Sequence, residues 1–156
     1  MELASGVGLG GGRVSHTLSL ELDMVAGTRI LVVDDDTDIL EFLQESLTAA
    51  GYEVDAASSA GDALELIRAD TYDVAVLDLH LPDMDGVMLH CRIRRMDPEL
   101  AAWTIFISDL VQSNSNLSYC ASQGAIFLSK PFQLGDLLTA IRRLLGKRSE
   151  LAEANP

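Results

Sequence analysis

The chain has 156 residues, 48% of them hydrophobic, and a formal net charge of −13. This composition suffices for one folded domain and excludes wholesale disorder, while the negative charge argues against a nucleic-acid partner held by phosphate contacts. No segment has the apolar length of a membrane span or the pattern of a secretory signal. Because Cys91 and Cys120 have neither zinc-site nor disulfide spacing, we expect a cytoplasmic protein.

Residues 1–28 differ in composition from the rest of the chain, and we predict that they form a flexible or appended N-terminal leader. Their glycines at 6–11 formally match the GxGxxG dinucleotide-binding pattern, but no strand pattern precedes them and no helical pattern follows, so the flexible leader is the favoured interpretation. An extra strand or a contact with a partner chain is an alternative for the alternating Leu18, Leu20 and Leu22.

From residue 29 the pattern becomes regular, and the first half of the domain predicts three strands and two helices. Apolar runs that end in carboxylates predict strands at 30–33 and 74–78. A weaker, alternating pattern at 53–57 predicts a second strand, which suits an edge position. Helical spacing of apolar residues predicts a first helix of about 14 residues that ends at Gly51. A capping-box-like sequence at Ser59 predicts the start of the second helix.

The second half of the domain predicts three helices and two strands. The first helix runs from Gly86 to about Asp97, with Leu89, Ile93 and Met96 facing inward. It is followed by a strand at 103–107, a helix at 112–123, a strand at 125–128 and an amphipathic helix from Leu134 that ends at Gly146. Pro98 is taken as the stop of the first of these helices. The segment 112–123 is rich in Ser and Asn, so this fourth predicted helix should be short. Residues 147–156 are predicted to be a polar C-terminal tail.

Five strands alternating with five helices predict an α/β domain over residues 29–146. Right-handed crossovers place helices on both faces of a parallel sheet, and the doubly wound strand order 2-1-3-4-5 is the natural candidate. In that order the first and third strands are neighbours. Their carboxyl ends then meet at a crevice of the kind where open α/β sheets bind ligands.

Polar side chains follow four of the predicted strands at this edge. Asp34 and Asp35 follow the first strand, and Asp78 ends the third. Carboxylates so close together raise one another's pKa, and a divalent cation relieves their electrostatic repulsion. Mg²⁺ fits best, because it binds oxygen ligands and keeps coordination positions open for a phosphoryl oxygen. Ser108 and Lys130, which follow the fourth and fifth strands, add a hydroxyl donor and a compact positive charge. Together these groups could transfer a phosphoryl group to Asp78.

As a set, these residues resemble the receiver domains of two-component response regulators, the CheY-like family with its flavodoxin-like fold. The resemblance covers about residues 29–145 and rests on Val33-Asp34-Asp35, Leu77-Asp78, Pro82, Gly86, Ser108 and Lys130-Pro131-Phe132. It implies a domain that takes a phosphoryl group from a histidine kinase or a histidine phosphotransfer protein and switches a partner-binding face. Such a domain promotes its own aspartyl phosphorylation and dephosphorylation and has no separate turnover substrate.

The resemblance also implies individual roles. Asp78 would be the phospho-acceptor, and Lys130 would be the phosphate-binding lysine. Asp34, Asp35, Asp78 and the backbone carbonyl of His80 would be the Mg²⁺ ligands. Ser108 would be the switch hydroxyl and Phe127 the switch aromatic. A homodimer through the fourth predicted helix, the fifth strand and the fifth predicted helix is a further expectation.

Two departures from the family pattern leave an alternative open. Phe127 has no hydroxyl where Tyr is common, and Asp109 adds a carboxylate where the family usually has a small residue. Asp109 could slow phosphorylation, and His80 could influence the lifetime of the acyl phosphate. The alternative function is a phosphorylation-independent adaptor with the receiver fold, whereas a haloacid-dehalogenase-type hydrolase would require a DxDx[TV] pattern that is missing after the first strand.

Overall fold

The computed structural model describes residues 25–109 and 114–154. Most of the predicted leader, including its glycine pattern, and the start of the fourth predicted helix lie outside these residues. The five strands are β1 (Arg29–Val33), β2 (Glu53–Ala57), β3 (Val74–Asp78), β4 (Thr104–Asp109) and β5 (Ile126–Lys130). The helices of the described residues are α1 (Thr37–Ala49), α2 (Ala60–Ala69), α3 (Gly86–Met96), α4 (Pro98–Ala102), α5 (Asn114–Ser122) and α6 (Leu134–Ala154).

The strands form one parallel sheet in the order β2-β1-β3-β4-β5, which confirms the predicted fold class and strand order. Val33 at the end of β1 pairs with Ala57 of β2 and with Leu77 of β3. Next to it Asp78 pairs with Ile107 of β4. This register brings the carboxyl ends of the strands to one edge of the sheet, where the loops to the following helices begin.

Helices cover both faces of the sheet, and each face has its own apolar core. One core packs α2, α3, α4 and α5 against the sheet, and the other packs α1 and α6 against it. The apolar residues of β3, Val74–Leu77, are fully buried. A central strand covered on both faces needs no polar alternation, so its continuous apolar run was a reliable signal.

Short polar side chains fix where several helices begin. Asp36 accepts hydrogen bonds from the first amides of α1, and Ser59 accepts one from Asp62 N at 3.1 Å at the start of α2. The prediction that Ser59 begins the second helix is therefore confirmed. Gly51, which follows α1, has a φ of 104°, a backbone conformation that glycine adopts at little cost.

Three details of the sequence prediction are wrong. Pro98 does stop α3, as predicted, but the predicted number of five helices was wrong. Pro98 also begins the additional short helix α4, where Asp97 accepts a hydrogen bond from Leu100 N at 3.0 Å. The fourth and fifth predicted helices are therefore α5 and α6. Met96 was expected to face inward, but it is 40% exposed.

The third error concerns the end of the last helix, which continues through Gly146 to Ala154. A glycine inside a helix costs only about 1 kcal/mol, so a tertiary contact can override it. That contact is made by Arg148, which forms ion pairs with Asp73 before β3 and with Glu99 of α4, the latter at 3.3 Å. Within the described residues, no helix combines the length and apolar character that crossing a membrane requires.

We expect Arg148→Ala to loosen the last two turns of α6 because it removes both ion pairs. The free energy of unfolding should fall by about 0.5–1 kcal/mol, since the pairs are partly solvated. Urea unfolding followed by circular dichroism would measure this. Arg143→Ala, an exposed arginine of the same helix, is the matched control. Equal losses in both variants would contradict the role assigned to Arg148.

Candidate functional site

The site lies at the carboxyl edge of the sheet, where β1 and β3 end side by side. Asp34 follows β1 and is fully buried, and Asp78 ends β3 with 3% of its surface exposed. Asp35 is exposed at the mouth of the site. Each of the three side chains offers one carboxylate oxygen, and these three oxygens lie within 4.8 Å of one another. The structure therefore brings together the three carboxylates that the sequence assigned to one crevice.

Lys130 reaches the carboxylates from the end of β5, on the far side of β4. Its ammonium donates a hydrogen bond to Asp34 Oδ2 at 2.7 Å and another to Asp78 Oδ2 at 3.0 Å. Only 14% of the lysine side chain is exposed. The Lys130–Pro131 peptide bond that follows is cis. One ammonium thus bridges two buried carboxylates, and the cluster carries more negative than positive charge.

Backbone amides satisfy the remaining oxygens of the two buried carboxylates. Asp34 Oδ1 accepts a hydrogen bond from Asp36 N at 2.9 Å, and Asp78 Oδ1 accepts one from His80 N at 2.9 Å. Both bonds turn the chain back toward its own carboxylate immediately after the strand ends. The side-chain positions are therefore fixed by the loops themselves and by Lys130 together.

Burial and crowding shift the charges of the cluster. Burial raises the pKa of Asp34, and the nearby charge of Asp78 adds to the increase, while the bonds from Lys130 and the Asp36 amide oppose it. Burial alone would lower the pKa of Lys130, but its hydrogen bonds to the two carboxylates outweigh burial, and the pKa is raised. The lysine therefore stays charged, whereas ionisation of Asp34 lowers the stability of the folded protein.

Gly86 allows the loop after β3 to close tightly beneath Asp78. Its amide donates a hydrogen bond to Leu79 O at 2.9 Å, and a Cβ at this position would lie 2.4 Å from the carbonyl oxygen of Asp78. Because that neighbour is backbone, it could not move aside cheaply. The glycine is required by close approach of two backbone segments, one of which carries the central carboxylate.

The remaining predicted residues surround the cluster at different depths. Ser108 is fully buried near the end of β4, one position beyond the residue that pairs with Asp78. Asp109 is exposed and pairs in register with Lys130. Phe127 is half-buried and packs into the core on the α5 side, in register with Phe106. The side chain of His80 is exposed.

The sequence reasoning missed a buried polar group that attaches α5 to the domain. His90 of α3 is 1% exposed, and its Nε2 lies 2.8 Å from Ala101 O, so this nitrogen must donate. Its Nδ1 then accepts from the hydroxyl of Tyr119 in α5, at 2.7 Å. Burial lowers the pKa of His90, which favours this neutral form. No spacing in the sequence links two residues that meet only through the tertiary fold.

Comparison with known proteins identifies the family. The response regulator receiver domain profile matches residues 30–142. The response regulator receiver protein CpdR of Brucella abortus is 34% identical over 117 residues, which cover 75% of this chain and 96% of CpdR. A CheY-like receiver domain protein of Methanospirillum hungatei has a solved structure that aligns with a TM-score of 0.73 and 33% identity over 79% of this chain and 97% of its own.

The chain therefore belongs to the response regulator receiver domain family of two-component systems. Receiver domains of this family work with histidine kinases and are generally not turnover enzymes. Some longer relatives carry the same domain: the transcriptional regulatory protein PrrA of Mycobacterium bovis is 30% identical over 131 residues. This chain spans about half of PrrA, 55% of its length.

We expect Asp34→Asn to raise the free energy of unfolding near neutral pH when no divalent cation is present. The folded-state pKa of Asp34 lies above its ordinary value of 3.8, so the folded protein binds this proton more tightly than the unfolded chain does. Ionised Asp34 therefore costs stability above its folded pKa, and the cost disappears as the pH falls toward the ordinary value.

Urea unfolding at several pH values would measure the difference between Asp34→Asn and the original protein. Asp36→Asn is the matched control, because this exposed cap residue keeps an acceptor oxygen and should give no gain at any pH. A difference for Asp34→Asn that is negative near neutral pH, or that does not shrink on acidification, would contradict the charge assignment.

Proposed function

We propose that this receiver domain is a phosphoryl-accepting switch in which Asp78 takes a phosphoryl group from a histidine kinase or a histidine phosphotransfer protein. The observation that carries the proposal is the bridging of Asp34 and Asp78 by the Lys130 ammonium, at 2.7 and 3.0 Å. An acyl phosphate on Asp78 would place its oxygens beside this ammonium. The lysine would then exchange a carboxylate partner for a phosphoryl oxygen.

The donor set of the site fits Mg²⁺. Its three carboxylates are hard oxygen ligands within 4.8 Å of one another, and a surplus of negative charge favours a cation. We propose that Asp34, Asp35, Asp78 and the backbone carbonyl of His80 hold the ion. When bound, Mg²⁺ would neutralise charge on the oxygens of the transferred phosphoryl group.

The chain's own residues would supply the acceptor and its surroundings. A carboxylate oxygen of Asp78 attacks phosphorus, an O–P bond forms, and the P–N bond of the donor phosphohistidine breaks with its electron pair returning to the imidazole. The amide of His80, which already donates to Asp78 Oδ1, holds the carboxylate in orientation. The Lys130 ammonium and the Ser108 hydroxyl are the proposed donors to the phosphoryl oxygens.

An apolar groove beside the site suits the approach of the donor protein. It has a volume of about 390 Å³ and is lined by Ile39, Phe42, Asp109, Lys130, Pro131 and Phe132. Phe42, on the exposed side of α1, is 53% exposed. A donor that covers this groove would exclude water from the ammonium and the acceptor carboxylate, which strengthens their electrostatic interactions.

The output of the switch is proposed to be the face built by α5, β5 and α6. Ser108 lies at the end of β4, from which the chain leads toward α5, and Phe127 lies in β5 against the core on the α5 side. A hydrogen bond from the Ser108 hydroxyl to a phosphoryl oxygen would shift the end of β4 and, through it, the face built by α5, β5 and α6. Since Phe127 has no hydroxyl, it would respond through packing alone. A homodimer through the same face is part of this proposal.

Incubation of the protein with a small-molecule phosphodonor and Mg²⁺ should add one phosphoryl group, as measured by intact mass. We expect Asp78→Ala to abolish the gain. Asp62→Ala, which removes an exposed carboxylate of α2, is the control that should be phosphorylated normally. No gain in the original protein would contradict the proposal and favour the phosphorylation-independent adaptor, for which the extra charge of Asp109 is the motivating feature. An undiminished gain in Asp78→Ala would contradict the assignment of Asp78 as the acceptor.

A further inference from the structure

The loop that follows the acceptor strand is tied to another helix through Asp83. This exposed residue lies between β3 and α3, five positions beyond Asp78. Its Oδ1 accepts a hydrogen bond from Ala60 N at 2.9 Å, and its Oδ2 accepts one from Gly61 N at 2.8 Å. Both donors belong to the first turn of α2. One carboxylate therefore bridges the loop and the start of a helix that follows a different strand.

The rest of the loop is closed upon itself. His80 forms an isolated antiparallel bridge with Asp85, and the Gly86 amide donates to Leu79 O at 2.9 Å. Leu81 and Met84 pack against the core on the same face as α2. Apolar contacts of this kind are not directional, so they set the depth of the loop but not its lateral position. The two hydrogen bonds of Asp83 supply a directional constraint between the loop and α2.

The electrostatics of the contact favour an ionised carboxylate. The amides of Ala60 and Gly61 lower the pKa of Asp83, and the first turn of a helix attracts negative charge. Gly61 also leaves room for the carboxylate, because a Cβ there would lie 3.3 Å from Asp83 Oδ2. No local pattern in the sequence indicates this contact, because the two partners are separated by more than 20 positions.

We propose that Asp83 is a positioning residue for the cation site, which it affects by holding the loop that carries the backbone of His80. The inference rests on the proposed function, because the backbone carbonyl of His80 is one of the oxygens assigned to Mg²⁺. His80 lies three residues from Asp83 and directly donates to Asp78, so lateral movement of the loop changes both the ligand and the acceptor carboxylate. Asp83 itself touches neither the ion nor the phosphoryl group.

The matched variants are Asp83→Ala and Ser59→Ala. Each removes side-chain acceptors from the amides at the start of α2, but Ser59 does so without touching the acceptor loop. Mg²⁺ affinity is measured by calorimetric titration, and hydrogen exchange of the amides at 79–86 reports the order of the loop without any ion or phosphodonor. Asp83→Asn, which keeps one acceptor oxygen, provides a milder variant should Asp83→Ala fail to fold.

We expect Asp83→Ala to weaken Mg²⁺ binding about tenfold, as loss of a residue that orients metal ligands commonly does, and to accelerate exchange in the loop. Asp83→Asn should give a smaller change of both. Ser59→Ala should leave both within about twofold, although it lowers the urea midpoint by removing a helix cap.

Equal Mg²⁺ affinity and equal loop exchange in Asp83→Ala and Ser59→Ala would overturn the inference while leaving the proposed function intact. Failure of the unmodified protein to bind Mg²⁺ would instead overturn the proposed function, and the inference would fall with it. The two failures are distinguishable because only the second is seen in the original protein.

Discussion

The Lys130 ammonium, shared between the carboxylates of Asp34 and Asp78, is the interaction on which the site depends. Two buried carboxylates beside an exposed one would repel one another, and a single lysine offsets only part of that charge. Burial raises the pKa of Asp34, and the nearby charge of Asp78 adds to the increase, although the hydrogen bond from Lys130 opposes both. The Lys130 ammonium thus holds the two buried carboxylates together, and the remaining negative charge favours binding of a further cation.

Parallel topology makes this arrangement available. Residues from the ends of β1, β3 and β5 can meet only because the strand order places their carboxyl ends on one edge, with β4 between the acceptor and the lysine. Tight loops then fix the carboxylates, with Gly86 allowing backbone contact beneath Asp78 and Asp83 holding the outer part of the same loop. The fold provides the edge, and the loops provide the orientation.

The sequence was sufficient to predict the fold and the members of the acidic cluster, but not the contacts that position them. Apolar runs that end in carboxylates are local signals. They can be recognised in the sequence because these strands are buried on both faces and therefore consist of consecutive apolar residues. The bridge from Asp83 to α2 and the hydrogen bond between Tyr119 and His90 join distant segments, and no periodicity encodes such pairs. The end of α6 was mispredicted for a similar reason, since ion pairs of Arg148 carry the helix beyond a glycine.

The dependence of thermal unfolding on Mg²⁺ would show whether the cluster of Asp34, Asp35 and Asp78 is the divalent-cation site that we propose. A ligand that binds only the folded state stabilises it by about 2.7 kcal/mol at one hundred times its dissociation constant. We expect Mg²⁺ to raise the melting temperature well above the value in NaCl of equal ionic strength, and Asp35→Asn, which changes an exposed side chain, to lose most of this rise. The same rise in NaCl, or an undiminished rise in Asp35→Asn, would contradict this proposal.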